Sequence, residues 1–412
     1  MENSETENRA IRVLSDLDAA FRRHPDISEF DILPVKEPES NRSPIIVAEL
    51  ALGMELWSAR LVYIYCYGKL MKWRSHASGC HLLHSTRSVD AARNILEPPE
   101  LLRLSRAVIL INPECYSIWN IRKELLQEKH VSVYEELKLS ALVLSKHPKS
   151  PETFAHRKWI LSLSCFGADI VDNSQIEPNQ SGNPSLRVSH IIPRVMKLST
   201  EELKALINEE MRVCTMAAEK YANNYNAWSH RIWVIINLFN CNKQFIMAEY
   251  ENTRSYVSMH VSDHSGFHYR QFLLSNAEQT SSILQQELDF ISELISVYPG
   301  HEALWYHRRF IIHAMYNLQN ISKSDAVIDT SSSTEGEDLL IPYDYQTVNV
   351  MDHCLVPQSS KCAKKLKIDD SGILKSEITK IELIIDSEPD NSWQQQLAKA
   401  YMKWIKQYQS RT

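Results

Sequence analysis

The sequence predicts an all-α protein, an α-solenoid of helical hairpins. Three observations predict it: glycine is scarce, apolar residues recur at helical spacing, and one short motif repeats along the chain. Nine glycines in 412 residues is about 2%, against ~7% in ordinary usage. Parallel α/β folds and β-sandwiches need glycine in turns and phosphate loops, so its scarcity points to helices. Leu137, Ala141 and Leu144, and again Leu288, Ile291, Ile295 and Tyr298, stand three and four residues apart, the period of one helix face.

The repeat is an aromatic followed three residues later by arginine, after a polar turn. The pairs are Trp119 with Arg122, Phe154 with Arg157, Trp228 with Arg231, Phe267 with Arg270, and Trp305 with Arg308. Their arginines are separated by 35, 74, 39 and 38 residues, and 74 is close to two periods. The extra length falls on 167–190, rich in Asn, Ser, Gly and Pro, which reads as a loop insertion. The boxes, near 112–122, 149–159, 223–233, 263–270 and 299–308, read as helix starts. Asn112-Pro113 and Ser150-Pro151 set a capping side chain before a proline whose missing N–H costs nothing there. Aromatic and arginine at i and i+3 share one face of the second helix. The aromatic anchors each hairpin on its neighbour, and the arginine is expected to tie carbonyls at the turns. Such hairpins bury their apolar faces only by stacking.

Around the array, residues 1–44 are read as one amphipathic helix (Ile11, Leu14, Leu17, Phe21) and a connector. The array itself occupies 45–320, its apolar start at 45–73 read as a buried helix or two. Residues 321–376 carry the Ser331 and Lys361 low-complexity tracts and are expected to be a flexible, mostly disordered insertion. Residues 377–412 form a closing helix with Trp393 and Trp404. A sixth, weaker box at 389–393 lacks the arginine.

Composition narrows the function. Lys plus Arg is 45 against 51 Asp plus Glu, a net charge of −6, which argues against general nucleic-acid binding. Eight dispersed cysteines without a CxxC pair indicate reduced thiols and a cytoplasmic protein. The acidic start at Glu2 fits neither a secretory signal nor a myristoylation site. No uncharged run reaches the ~20 residues of a membrane span. No phosphate loop, nucleophile elbow or HExxH motif is present, so catalysis by this chain alone has no visible machinery.

The fullest box, Asn224-Tyr225-Asn226-Ala227-Trp228-Ser229-His230-Arg231, resembles the repeat of protein prenyltransferase α subunits, and four degenerate copies accompany it. The resemblance implies a right-handed superhelix of hairpins wrapped on a β subunit that carries the catalytic zinc and the isoprenoid pocket. It implies transfer of a farnesyl or geranylgeranyl group, here geranylgeranyl, to a C-terminal cysteine of protein substrates, with no cofactor and no catalytic residue in this chain. At residue level it implies an isoprenoid diphosphate contact from Lys149, five residues before Phe154, and from Tyr225. The family's second-repeat tyrosine is replaced by Pro151.

Three histidine constellations compete for attention. His76, Cys80, His81 and His84, and likewise His260, His264 and His268, have helical spacing that permits metal binding but lack a completing ligand set, so no metal site is assigned. His156, His230 and His307 each precede a box arginine, and a catalytic base does not recur three times along a solenoid, so they are read as packing residues. Two functions remain: the α subunit of a heterodimeric prenyltransferase, and a non-catalytic interaction scaffold that kept the fold.

Overall fold

The computed structural model describes residues 2–36, 43–79, 96–166, 199–238, 241–277, 280–325 and 372–411. The expected loop insertion at 167–190, most of the expected insertion at 321–376, and Cys80, His81 and His84 lie outside them. The protein is all-α, built of helical hairpins, with three short strands among the described residues. It divides into two compact units, Met1–Thr253 with Asp263–Asn276, and Arg254–Ser262 with Ala277–Thr412.

The first unit opens with α1 (Glu2–Arg23), which buries Val13, Leu14 and Leu17 while Ile11 stays 39% exposed. A small sheet follows, which the helix-and-connector reading of 1–44 did not foresee. Strand β1 (Glu29–Leu33) pairs in parallel with β3 (Ala51–Glu55), and β2 (Ile45–Ala48) pairs with β3 antiparallel. The sheet therefore runs across the expected boundary at residue 44. Its inward side chains Phe30, Leu52 and Met54 join α1, α2 (Leu56–Gly79) and α3 (Pro98–Ile111) in one apolar cluster. The stretch 45–73 is thus two strands and the start of one long helix.

The repeats begin at α3, which pairs with α4 (Tyr116–Gln127). Then come α5 (Val133–Lys146) with α6 (Pro151–Phe166), α7 (Thr200–Lys220) with α8 (Tyr225–Leu238), and α9 (Lys243–Met259) followed by α10 (His264–Asn276). Capping boxes start α5 at Ser132 with Glu135 and α7 at Ser199 with Glu202, so two orphan N–H groups are satisfied at each helix start. Ser150 accepts the Thr153 N–H at the start of α6, as expected. Asn112 does not cap α4. Its side-chain oxygen Oδ1 accepts from the Glu114 N–H inside the turn, and Cys115 takes the N-cap place.

The second unit pairs α11 (Ser281–Val297) with α12 (Glu302–Asp325), and α13 (Gly372–Ser387) with α14 (Trp393–Arg411). The expected single closing helix is therefore a full hairpin, whose turn is the weak sixth box. It begins at Gly372, inside the stretch expected to be disordered, because Leu374, Glu377 and Ile381 bury one face of α13.

Candidate functional site

Box aromatics Trp119, Phe154, Trp228, Phe267 and Trp305 are all at most 4% exposed, and their arginines at most 8%. Each aromatic is buried in the array. Arg122, Arg157, Arg231 and Arg308 do something the spacing did not predict: they reach into helices and meet buried glutamates rather than turn carbonyls. Arg122 of α4 grips Glu136 of α5 with two hydrogen bonds, at 2.7 and 2.6 Å, and His156 of α6 donates to the same carboxylate at 2.9 Å. One hairpin later Arg157 grips Glu210 of α7, and His230 of α8 donates to it at 2.8 Å. Next, Arg231 holds Glu249 of α9 at 2.6 Å, with the Tyr269 hydroxyl of α10 donating at 2.8 Å.

The second unit repeats the device. His307 of α12 donates to Glu287 at 2.7 Å, while Arg308 grips Glu377 at 2.6 and 2.9 Å and the Tyr401 hydroxyl joins it at 2.8 Å. The free nitrogen of each arginine ties back to its own hairpin: Arg157 Nη1 donates to the Leu137 carbonyl at 2.7 Å and Ser140 Oγ at 2.8 Å, and Arg231 Nη1 to the Met211 carbonyl at 2.9 Å and Thr215 at 2.8 Å. Arg270 makes the same pair of bonds, to the Tyr250 carbonyl at 2.6 Å and Thr253 at 3.0 Å. The rungs of Arg157 and Arg231 therefore join a hairpin to itself and to its neighbour.

The electrostatics of the rungs follow from burial. Desolvation alone pushes Glu136 and Glu210 up, but the arginine charge and the histidine hydrogen bond outweigh it and hold both carboxyls at about 2. For His156 and His230 desolvation wins over the glutamate, and their pKa values fall below the usual imidazole value. Each histidine is thus a neutral Nε2–H donor, and Nδ1 of each is buried with no partner. A neutral imidazole already bonded to a carboxylate inside a closed core has no substrate to serve. The histidines are packing residues.

Four of the five rung glutamates were legible in the sequence and were missed. Glu136, Glu210, Glu249 and Glu287 each stand 21 residues before a box arginine, at 157, 231, 270 and 308. The first box has Leu101 in that place, as it has no preceding arginine to satisfy.

Lys149 and Tyr225 belong to a different surface. Lys149 is exposed in the turn between α5 and α6, and Tyr225, 50% exposed, is the first residue of α8. The two turns are bolted together. Asn226 Nδ2 donates to the Lys149 carbonyl at 2.8 Å, and buried Asn224 donates to the Pro148 carbonyl at 2.7 Å and the Ala217 carbonyl at 3.0 Å. Asn223 adopts φ 56, a left-handed turn conformation that asparagine tolerates, and its side chain accepts from the His264 N–H at the start of α10. The helix starts of α6, α8 and α10 are thereby linked along one edge.

Charge along that edge is selective. Lys146 is neutralised by Asp31, and Lys220 donates to the Ser145 carbonyl at 2.7 Å. The ammonium of Lys149 lies 3.9 Å from the centre of the Tyr221 ring and, among the described residues, pairs with no carboxylate. It stands beside the N-terminus of α6, where backbone N–H groups already favour an anion.

Buried Cys66, Cys165 and Cys214 have thiols pushed up to about 12, 11 and 12 by desolvation and are inert packing groups. His260 stacks on Tyr256, and His268 is pushed down by burial. Among the described residues no cluster of three or more His, Cys, Asp and Glu is placed to hold a metal. No helix among them is long and apolar enough to cross a membrane.

The protein prenyltransferase alpha subunit repeat matches residues 98–129, 133–164, 207–238, 246–277 and 284–315, one match for each of the five boxes. The chain is similar to the protein prenyltransferase alpha subunit repeat-containing protein 1-A of Xenopus laevis, at 31% identity over 97% of both chains. It is 33% identical to the human protein prenyltransferase alpha subunit repeat-containing protein 1, over 96% of both chains. The chain belongs to the protein prenyltransferase alpha subunit repeat family. A more distant member, the mouse geranylgeranyl transferase type-2 subunit alpha, is 22% identical over 60% of this chain and 41% of its own length. Within the family repeat, the rung glutamate lies in the first helix of each matched segment after the first, and the aromatic and arginine in the second helix.

Proposed function

We propose that this chain is the α subunit of a heterodimeric protein prenyltransferase that moves a geranylgeranyl group to C-terminal cysteines of protein substrates in the cytoplasm. The observation that carries the reading is the state of Lys149. It is an exposed cation without a carboxylate partner, at a helix start, on the same bolted edge as Tyr225. At the five positions equivalent to it, five residues before each box aromatic, the chain has Glu114, Lys149, Asn223, Ser262 and Gly300. A residue that the repeat does not require, held in the register that meets diphosphate in the family, is where function is expected.

In this reading the chain's work is to bind and orient. It scaffolds the β subunit, and Lys149 and Tyr225 present a positive charge and a hydroxyl to the leaving diphosphate as its charge develops. The zinc would belong to the β subunit, where its chemistry is to activate the acceptor thiol. The likeness to the geranylgeranyl transferase type-2 subunit alpha favours geranylgeranyl as the lipid. A second reading, an interaction scaffold without catalysis, is favoured by Pro151, which stands where the family's second-repeat tyrosine would be.

Co-purification of the tagged full chain followed by mass spectrometry tests the class. A prenyltransferase β subunit should be recovered, the pair should transfer lipid from geranylgeranyl diphosphate, and the lone chain should be silent. Transfer by the lone chain, or a recovered β subunit whose pair transfers nothing, would overturn the proposal.

A further inference from the structure

We infer that Tyr221 is a positioning residue for Lys149: from the neighbouring hairpin it holds that ammonium at the turn edge. The inference rests on the proposed role of Lys149. It starts from a gap in this chain's own site, where Pro151 follows Lys149 by two residues and offers neither ring face nor hydroxyl.

Tyr221 is the C-cap of α7 and has left the helix for extended backbone, φ −146 and ψ 115. Its place relative to Lys149 is set from both sides. Before it, Lys220 donates to the Ser145 carbonyl at 2.7 Å, pinning the end of α7 on the end of α5. After it, Asn224 and Asn226 donate to the Pro148 and Lys149 carbonyls at 2.7 and 2.8 Å. Three hydrogen bonds from one turn to the other thus bracket the ring and the ammonium, which meet at 3.9 Å from the ring centre. The contact is not part of the core, because Tyr221 is 50% exposed and Lys149 is exposed as well.

A lysine on four rotatable bonds loses side-chain entropy when it is fixed on a ligand. A ring face attracts the ammonium without using its three N–H donors as a carboxylate would, so the charge is held in place and left available to phosphate oxygens. A carboxylate partner would neutralise the charge instead, as Asp31 does for Lys146. Tyr221 is therefore suited to pre-organise Lys149 and not to compete with its ligand. No bond is made or broken by Tyr221.

The contact and its consequence are measured separately. In the full chain with its lysines reductively methylated with ¹³C-formaldehyde, the Lys149 dimethylammonium resonance, assigned by its loss in Lys149→Arg, should be shifted upfield by the ring current. It should return to the ordinary lysine position in Tyr221→Leu and stay upfield in Tyr221→Phe. An ordinary position in the parent chain would overturn the contact, whether or not the chain transfers lipid.

In the heterodimer with geranylgeranyl diphosphate, Tyr221→Leu should weaken single-turnover transfer roughly two- to fivefold, the scale of an exposed cation–π contact. Tyr221→Phe should match the parent. In a Lys149→Ala background Tyr221→Leu should cost nothing more, because the two residues act through one ammonium. A full additional loss in that background, or a Phe variant as slow as Leu, would overturn the positioning role. A parent heterodimer without transfer would overturn the proposed function and this role together, leaving the measured ring contact as a structural fact.

Discussion

Arg157 and Lys149 stand eight residues apart at the start of one hairpin, and they have opposite fates. Arg157 is fully buried, bonded to Glu210 of the next hairpin and to Leu137 and Ser140 of its own. Lys149 is exposed and faces a tyrosine ring. The difference teaches how to read a repeat. Every one of the five boxes has the arginine, and Arg122, Arg157, Arg231 and Arg308 each join one hairpin to another. Only one box has the lysine, which the joining of hairpins does not require. Repetition marks what the fold needs, and departure from it marks where function is sought.

The sharpest way to break the comparison is to attack a rung. Glu210→Ala strands a buried guanidinium and removes the partner of His230, and it should cost about 3–5 kcal/mol in urea unfolding. Its neighbour Glu209, on the exposed side of α7 and paired with Arg212, supplies the control. Glu209→Ala should cost under ~1 kcal/mol. Equal losses at the two positions would mean that the rungs are not what joins the hairpins.

A smaller effect with a different readout is expected at the turn edge. Lys149→Ala should lower transfer by the reconstituted heterodimer about 10²-fold, the scale of a lost charge-stabilising donor. Its unfolding midpoint should stay within ~0.5 kcal/mol of the parent. Lys149→Arg should recover part of the rate, since charge is kept while reach and geometry change. An alanine variant with parental turnover would return this lysine to a solvated turn residue.

The smallest effect separates two kinds of rung. His156 and His230 have native pKa values below the usual imidazole value, so the unfolded chain takes up their protons first. Stability is fully present above ~6.5 and falls as the pH drops below that value, by at most ~1.4 kcal/mol per pH unit for each histidine. His147 and His268 are also pushed down by burial and add to the slope. The glutamates at about 2 contribute above ~4.5, and their share is lost between there and 2. The tyrosine rungs at Glu249 and Glu377 have no titrating imidazole. Urea midpoints from pH 8 to 5 should therefore decline, and His156→Gln should flatten the decline. A profile unchanged by that substitution would mean that His156 is not buried in its neutral form.

Much of this molecule was legible in its sequence. A motif recurring at a fixed period gives the hairpins, because the helical period and the turn residues are local properties of the chain. It places Trp228 and Arg231 in the core, since an aromatic and a long cation on one helix face can be satisfied only by a neighbouring unit. Even Glu136, Glu210, Glu249 and Glu287, each 21 residues before a box arginine, were written in the same register. They went unread because an isolated glutamate in an amphipathic helix resembles any solvated one until its partner is known.

Other features were decided by tertiary structure. The strand pair at 45–48 and 51–55 is too short to show a convincing period, and only pairing with 29–33 and packing on α1 and α2 makes it a sheet. The closing hairpin has no box arginine, yet Glu377 is held there because Arg308 and Tyr401 converge on it. Tyr221, 72 residues from Lys149, is brought against it by hydrogen bonds between two turns. Periodicity is a property of one segment, and the sequence determined what one segment can express. Charge compensation and ring contact belong to pairs of distant residues, and only the packing of hairpins brings those pairs together.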